Sequence, residues 1–210
     1  MIKLKKMNKF YLILVLSIFI SCKKDEGLKN DSITIKSLEK ERISQGWKTY
    51  QDSNVKTLIP SDWNPKKKDI LFLVPIDKKL NIYYAVAEFD QKVISSKNYI
   101  KEIFKQISAD TPEFVYTMRK IDFTNGNTCY LLEFYTTENN NKYKTYNVIY
   151  PKNNKLYDFC YKTIDNVDAN PINQKVFYDV LVTFEYHGKK IIDSENFIVK
   201  TAKEIKYNDI

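Results

Sequence analysis

One histidine, His187, serves a chain of 210 residues. A His-based zinc site and a Ser-His-Asp triad therefore lack most of their usual parts. Glycine is almost as scarce. Gly27, Gly46, Gly126 and Gly188 stand far apart, so no glycine-rich loop is present to cradle a phosphate. The apolar run Phe10 to Ile20 has 11 residues, about half of the ~20 that a membrane-spanning helix needs. Internal repeats and low-complexity blocks are also missing. Acidic charge is in modest deficit: 34 Lys and Arg face 26 Asp and Glu, a formal +8. Lys3, Lys5, Lys6 and Lys9 carry half of that excess, and the rest is spread along the chain as on solvated faces. Nothing has the layout of a nucleic-acid groove.

What is present first is an address. Met1 to Lys9 is basic, Phe10 to Ile20 apolar, and Ser21-Cys22 follows, the order of a secretory leader with a small residue at the cleavage point. The run Ile18-Phe19-Ile20-Ser21-Cys22 resembles the relaxed lipobox of Bacteroidetes-type lipoproteins. That resemblance implies removal of residues 1–21 and acylation of Cys22, with two or more chains giving a stable membrane anchor. The expected location is the bacterial cell envelope, lipid-anchored at the outer membrane, on its periplasmic face or at the cell surface. Lys23 to Glu26 is a short charged run like a surface-export tag. Residues 22–37 are polar and read as a tether.

The composition, 43% hydrophobic and 29% charged, is that of a folded globular chain. From Trp47 onward the pattern has period two. Strands are expected over Trp47 to Tyr50, over Val55 to Ile59 closed by Pro60, and over Ile70 to Val74 and Ile82 to Phe89, with Asp77 to Asn81 turning between the last two. In Ser95 to Ser108 the residues Ile100, Ile103, Phe104 and Ile107 form one stripe of a helix, capped by Ser95 or Ser96. Phe114 to Thr163 then reads as a four-strand antiparallel meander. Its first turn is Asn125-Gly126, a dipeptide suited to positive φ at both central positions. Its later turns are Glu138 to Lys142 and Pro151 to Lys155. A second helix opens at Asn170-Pro171, carries Val176, Phe177, Val180, Leu181 and Phe184 on its stripe, and is ended by Gly188, with His187 in its last turn. A short helix around Glu195 to Ile205 is the expectation for the end of the chain.

This order, together with Tyr50 to Trp63, the Ser95 to Ser108 helix, the Asn125-Gly126 hairpin and Phe177 to Tyr186, resembles the PsbP-like fold over about residues 47–187. The resemblance implies an α+β domain: an antiparallel sheet sandwiched by helices, α/β/α. It also implies binding in place of catalysis, since the family has no common catalytic site. Metal binding through His and acidic residues is not carried over to a chain with one histidine. The expected domain spans 38–188, with 189–210 as an extension.

Candidate site residues follow from chemistry. Tyr143, Tyr146, Tyr150, Tyr157 and Tyr161 crowd into neighbouring strands, where rings bearing a hydroxyl can stack on sugars or anchor a protein partner, or can simply fill a core. Asp158 and Glu133 are the acids to inspect for a carboxylate pair, as ion-paired rim acids or otherwise. Cys129 and Cys160, two strands apart, lie near twice the ~4.8 Å strand spacing, beyond the ~7 Å limit on Cα separation for a disulfide, and are expected as free thiols. His187 is expected to cap a helix end. The functional expectation is a non-catalytic binding domain for a protein or envelope component, with no cofactor and no metal. The alternatives are a binder of a small apolar or glycan ligand between sheet and helix, and an unrecognised hydrolase.

Overall fold

The computed structural model describes residues 30–66, 68, 70–76, 80–111, 114–192 and 199–210, with side chains from residue 37 onward. The leader, Cys22 and the first part of the tether lie outside the described residues. The chain runs through α1 (Asn30–Ser44), β1 (Trp47–Gln51), β2 (Val55–Pro60), β3 (Trp63–Lys66), β4 (Leu71–Pro75) and β5 (Tyr83–Asp90) to α2 (Ser96–Asp110). The meander is β6 (Tyr116–Phe123), β7 (Thr128–Glu138), β8 (Asn141–Lys152) and β9 (Lys155–Ile164). After α3 (Asn170–Thr183) come β10 (Glu185–Tyr186), β11 (Lys189–Lys190), β12 (Val199–Glu204) and a 3-10 turn over Tyr207–Asp209. All strands pair antiparallel, in an eight-stranded sheet of order β12-β6-β7-β8-β9-β5-β4-β3 and a four-stranded sheet of order β1-β2-β10-β11. This is the expected α+β architecture, with helices on both faces of an antiparallel sheet.

Alternation along the strands sorts the two cores. Leu131, Tyr146, Val148, Tyr157, Phe159 and Tyr161 point to one face, where Phe177, Val180 and Leu181 of α3 and Val55 and Ile59 of the small sheet cover them. Tyr130, Leu132, Ile149 and Leu156 point to the other, beneath Ile100 and Phe104 of α2. Ser95 caps α2, its Oγ accepting from the Asn98 N–H at 3.3 Å. Burying a side chain the size of Ile100 or Phe104 contributes about 1.5–3 kcal/mol, which is what holds α2 on the sheet. Where β10 is too short to pair with the rest of β2, α3 stands in. The Thr183 Oγ accepts the Leu58 N–H at 3.2 Å and donates to the Asp179 carbonyl at 2.8 Å.

The turns differ in kind. Asn139-Asn140 (φ 48° and 64°) and Asn153-Asn154 (52° and 61°) are two-residue turns with both residues left-handed, the twist that suits a tight hairpin. At Asn125-Gly126 the positive-φ expectation holds only for Gly126 (φ 84°). The link there has four residues and closes through Phe123 N–H to the Asn127 carbonyl and Gly126 N–H to the Phe123 carbonyl.

Three expectations are corrected, and one strand is added. Residues 30–37 are helical, not an irregular tether. The second helix stops at Thr183; His187 (φ 50°) and Gly188 (φ 71°) form the tight turn between β10 and β11, not the helix end. Val199–Glu204 is a strand bonded to β6, because its alternate side chains fit that open edge; no helix forms there, and residues beyond 188 complete both sheets. Trp63–Lys66 adds an edge strand unforeseen in sequence, where Pro65 can stand without a ladder donor.

Candidate functional site

The five tyrosines proposed as a binding surface are interior. Tyr143, Tyr146, Tyr150, Tyr157 and Tyr161 are 3%, 0%, 1%, 7% and 3% exposed. Tyr146, Tyr150, Tyr157 and Tyr161 lie on the α3 side, where the Tyr146 ring stacks between Tyr161 at 6.2 Å and Phe177 at 5.8 Å. Their hydroxyls are used locally: Tyr146 donates to the Asn170 carbonyl, and Asn127 Nδ2 donates to Tyr150. Because both faces of the central strands are covered, aromatic residues of either parity become core. Tyr143 alone of the five faces the α2 side, where its ring lies 4.6 Å from Lys162 Nζ.

The two acids are separated by the same alternation. Glu133 faces α3 and pairs with Lys144 at 2.9 Å. Asp158 faces α2, where its carboxylate accepts from the Tyr99 hydroxyl at 2.7 Å and from Asn147 Nδ2 at 2.8 Å. They form no carboxylate pair. Cys129 and Cys160 are free and lie on opposite faces of the sheet. His187 is exposed, its backbone N–H donating to the Asn54 carbonyl at 2.7 Å. Among the described residues no cluster of three metal-ligating side chains occurs.

The α2 side of the sheet brings together residues that sequence reasoning passed over. On β4, Leu71 and Leu73 enter the α3-side core, which leaves Phe72 and Val74 on the other face, beyond the reach of α2. There the Phe72 ring stacks on Tyr83 at 5.4 Å and 22°, and the Lys68 ammonium lies 4.8 Å from the Phe72 ring. These rings line an open cleft of about 340 Å3, with Val74, Pro75, Leu80 and Ile82 as apolar walls and Lys66 and Asn81 as polar groups. The sequence signal was available: a strand apolar on both parities, near a sheet edge with no helix assigned to cover it.

Behind the cleft runs a polar row. Asn81 Nδ2 donates to Glu138 at 3.0 Å, and Glu138 also takes the Lys162 ammonium. Burial pulls the Glu138 carboxyl up, but the bonds from Lys162 and Asn81 outweigh it and hold it below the usual range. The Tyr83 hydroxyl meets the Cys160 thiol. Deeper in, burial pushes Asp158 up to about 6 against the pull of its bonds from Tyr99 and Asn147. Asn147 is 3% exposed, and its buried Oδ1 has no hydrogen-bond partner. An apolar, partly aromatic cleft with a few fixed polar groups is the make-up of a small-molecule site, and its volume is at the small end of the usual ~300–1,000 Å3.

No family model matches the chain, and no curated protein matches it in sequence. Solved structures do. The chain is similar to the solution structure of cyanobacterial PsbP (CyanoP) from Synechocystis sp. PCC 6803, at 13% identity and a TM-score of 0.48 over 67% of this chain and 92% of that one. It is similar to a Bacteroides thetaiotaomicron protein at 13% identity and 0.37, over 63% of this chain and 44% of that one. LpqN, involved in cell envelope biogenesis of Mycobacterium tuberculosis, matches at 9% identity and 0.34, over 67% and 90%.

Proposed function

We propose that the chain is an extracytoplasmic lipoprotein, anchored through Cys22, whose PsbP-like domain binds a small ligand with an apolar face and does no catalysis of its own. The cleft at Phe72 and Tyr83 carries this reading: it offers a stacked ring pair, apolar walls, and Lys66 and Asn81 as orienting groups. The burial of the five meander tyrosines removes the aromatic surface on which a protein partner was expected to dock. Asp158, the acid with the raised pKa, is bonded to Tyr99 and Asn147 and has no second carboxylate against it, which favours binding over hydrolysis.

The test has two arms. Metabolic labelling with a clickable palmitate analogue should mark the wild type and not Cys22→Ala; an unlabelled wild type removes the anchor from the reading. Unlipidated Cys22→Ala protein is then incubated with a small-molecule extract of the cell envelope, beside the same protein carrying Leu80→Trp to fill the cleft. A compound retained by the first and lost by the second is expected. Equal retention, or none, overturns the cleft as the site.

A further inference from the structure

We propose that a second cleft, between α2 and the closing 3-10 turn, binds an acidic sugar unit through ring stacking and paired lysines. It has a volume of about 540 Å3 and shares no lining residue with the cleft at Phe72, so the inference is independent of the function proposed above.

The cleft is built from four aromatic rings. Phe104 is the hub, with Phe114 at 5.3 Å and Tyr116 at 4.7 Å edge-on, and Tyr207 stacked on it at 5.1 Å and 22°. Phe104 is buried, whereas Tyr207 is 37% exposed and is the outermost ring of the stack. A ring stacked on one side presents its other side outward, and a flat apolar ring face suits the C–H face of a pyranose. The turn that carries Tyr207 is fixed in place. Its N–H donates to the Tyr116 hydroxyl at 3.2 Å, the Ile205 N–H donates to the Met118 carbonyl at 3.0 Å, and Asp209 accepts from the Lys206 N–H at 2.8 Å.

Charge selects among sugars. Lys105 and Lys206 line the same cleft, one from the helix and one from the turn. Lys206 makes no ion pair among the described residues, and Lys105 has only Glu102 at 3.9 Å, both ends well exposed. Two ammonium groups beside an aromatic platform, with no carboxylate among the lining residues, complement an anionic substituent on the stacked ring. A carboxylate on a sugar supplies it, and a charge-assisted hydrogen bond to one lysine is among the stronger polar contacts available.

Calorimetric titration of the full chain with digalacturonate, and with neutral digalactose at the same ionic strength, tests this. Digalacturonate should bind about tenfold or more tightly than digalactose, the gain of one charge-assisted bond. Tyr207→Ala should weaken both by about tenfold, the loss of one ring face. Lys206→Gln, which leaves the rings untouched, should remove most of the preference for the acid without changing the neutral sugar. Absence of binding to either sugar, equal affinity for the two, or affinity unaltered by Lys206→Gln and Tyr207→Ala overturns the proposal. So does binding to phosphatidylglycerol vesicles, lost in Lys206→Gln, with no binding to digalacturonate, since the cleft would then serve a lipid surface.

Discussion

At Asp158 the fold opposes ionisation. Its carboxyl is held near 6, against an ordinary 3.8, chiefly by burial. A group whose folded pKa is raised stabilises the fold fully below its unfolded value and loses that contribution as pH climbs through the folded value. The stabilisation is therefore present at pH 4 and gone at pH 7.5. At 1.36 kcal/mol per unit, this is worth up to about 3 kcal/mol. Asp158→Asn cannot ionise, so its stability relative to wild type should rise by that order between pH 4 and pH 7.5 in urea unfolding. Asp52, Asp122 and Glu138, whose pKa values are lowered, pull the other way but are common to both proteins. A difference that stays constant with pH would remove Asp158 as the source. The residue itself was legible as an acid within a strand. Its environment was not, because Tyr99 and Asn147 lie 59 and 11 positions away and meet it only across the packed face.

Elements were legible where one local rule governs them. The α2 stripe and its Ser95 cap were readable because periodicity and cap coincide. For α3 the stripe misleads: Phe184 continues the apolar pattern and is fully buried, yet it lies just past the helix, carried inward by the extended backbone that begins β10. In α1 no apolar stripe exists to be found. Its one buried described side chain is Arg42, a charge that packs for the sake of a partner far along the chain. Turn chemistry gives the sharpest element-scale prediction. Asn140 sits at φ 64°, so Asn140→Val should cost about 1–2 kcal/mol, the usual penalty for a branched side chain in left-handed backbone. Asn140→Gly should be close to neutral, and paired thermal melts will show whether the two separate. At the C-terminal end of α3, Thr183→Val strips the acceptor from the buried Leu58 N–H. The expected loss is about 1–3 kcal/mol, read as a lower urea midpoint with an unchanged slope.

For the whole molecule, the central antiparallel sheet between α2 and α3 was readable from the order of patterns, but its edge strands, the second sheet and the assignment of functional surface were not. Period two says that Tyr146 and Tyr150 share a face; it cannot say that α3 lies over that face while Phe72 and Tyr83 stay partly open. Coverage is decided by which helix lands where. α1 is joined to α3 by a buried pair, Arg42 with Asp179, beside the Trp47 ring 5.4 Å from the guanidinium, and by the exposed pair of Glu41 with Lys175 at 3.9 Å. Removing either partner alone strands a charge, so Arg42→Met and Asp179→Leu should each cost about 3–5 kcal/mol. The double variant should recover most of that loss. A double-mutant cycle in urea that shows simple additivity would mean that the pair does not fasten the helix.

That pair also fixes a line of force. The chain enters the described fold through α1, which rests on β1 and α3, on the opposite side of the large sheet from α2 and from both clefts. A pull applied at Asn30 runs along the backbone into β1 and, through Arg42 and Asp179, into α3, whose Phe177 packs on the near side of the eight-stranded sheet. The cleft-bearing face lies off that path. Tension on the N-terminal side would therefore load first the back of the molecule, the face opposite the two clefts.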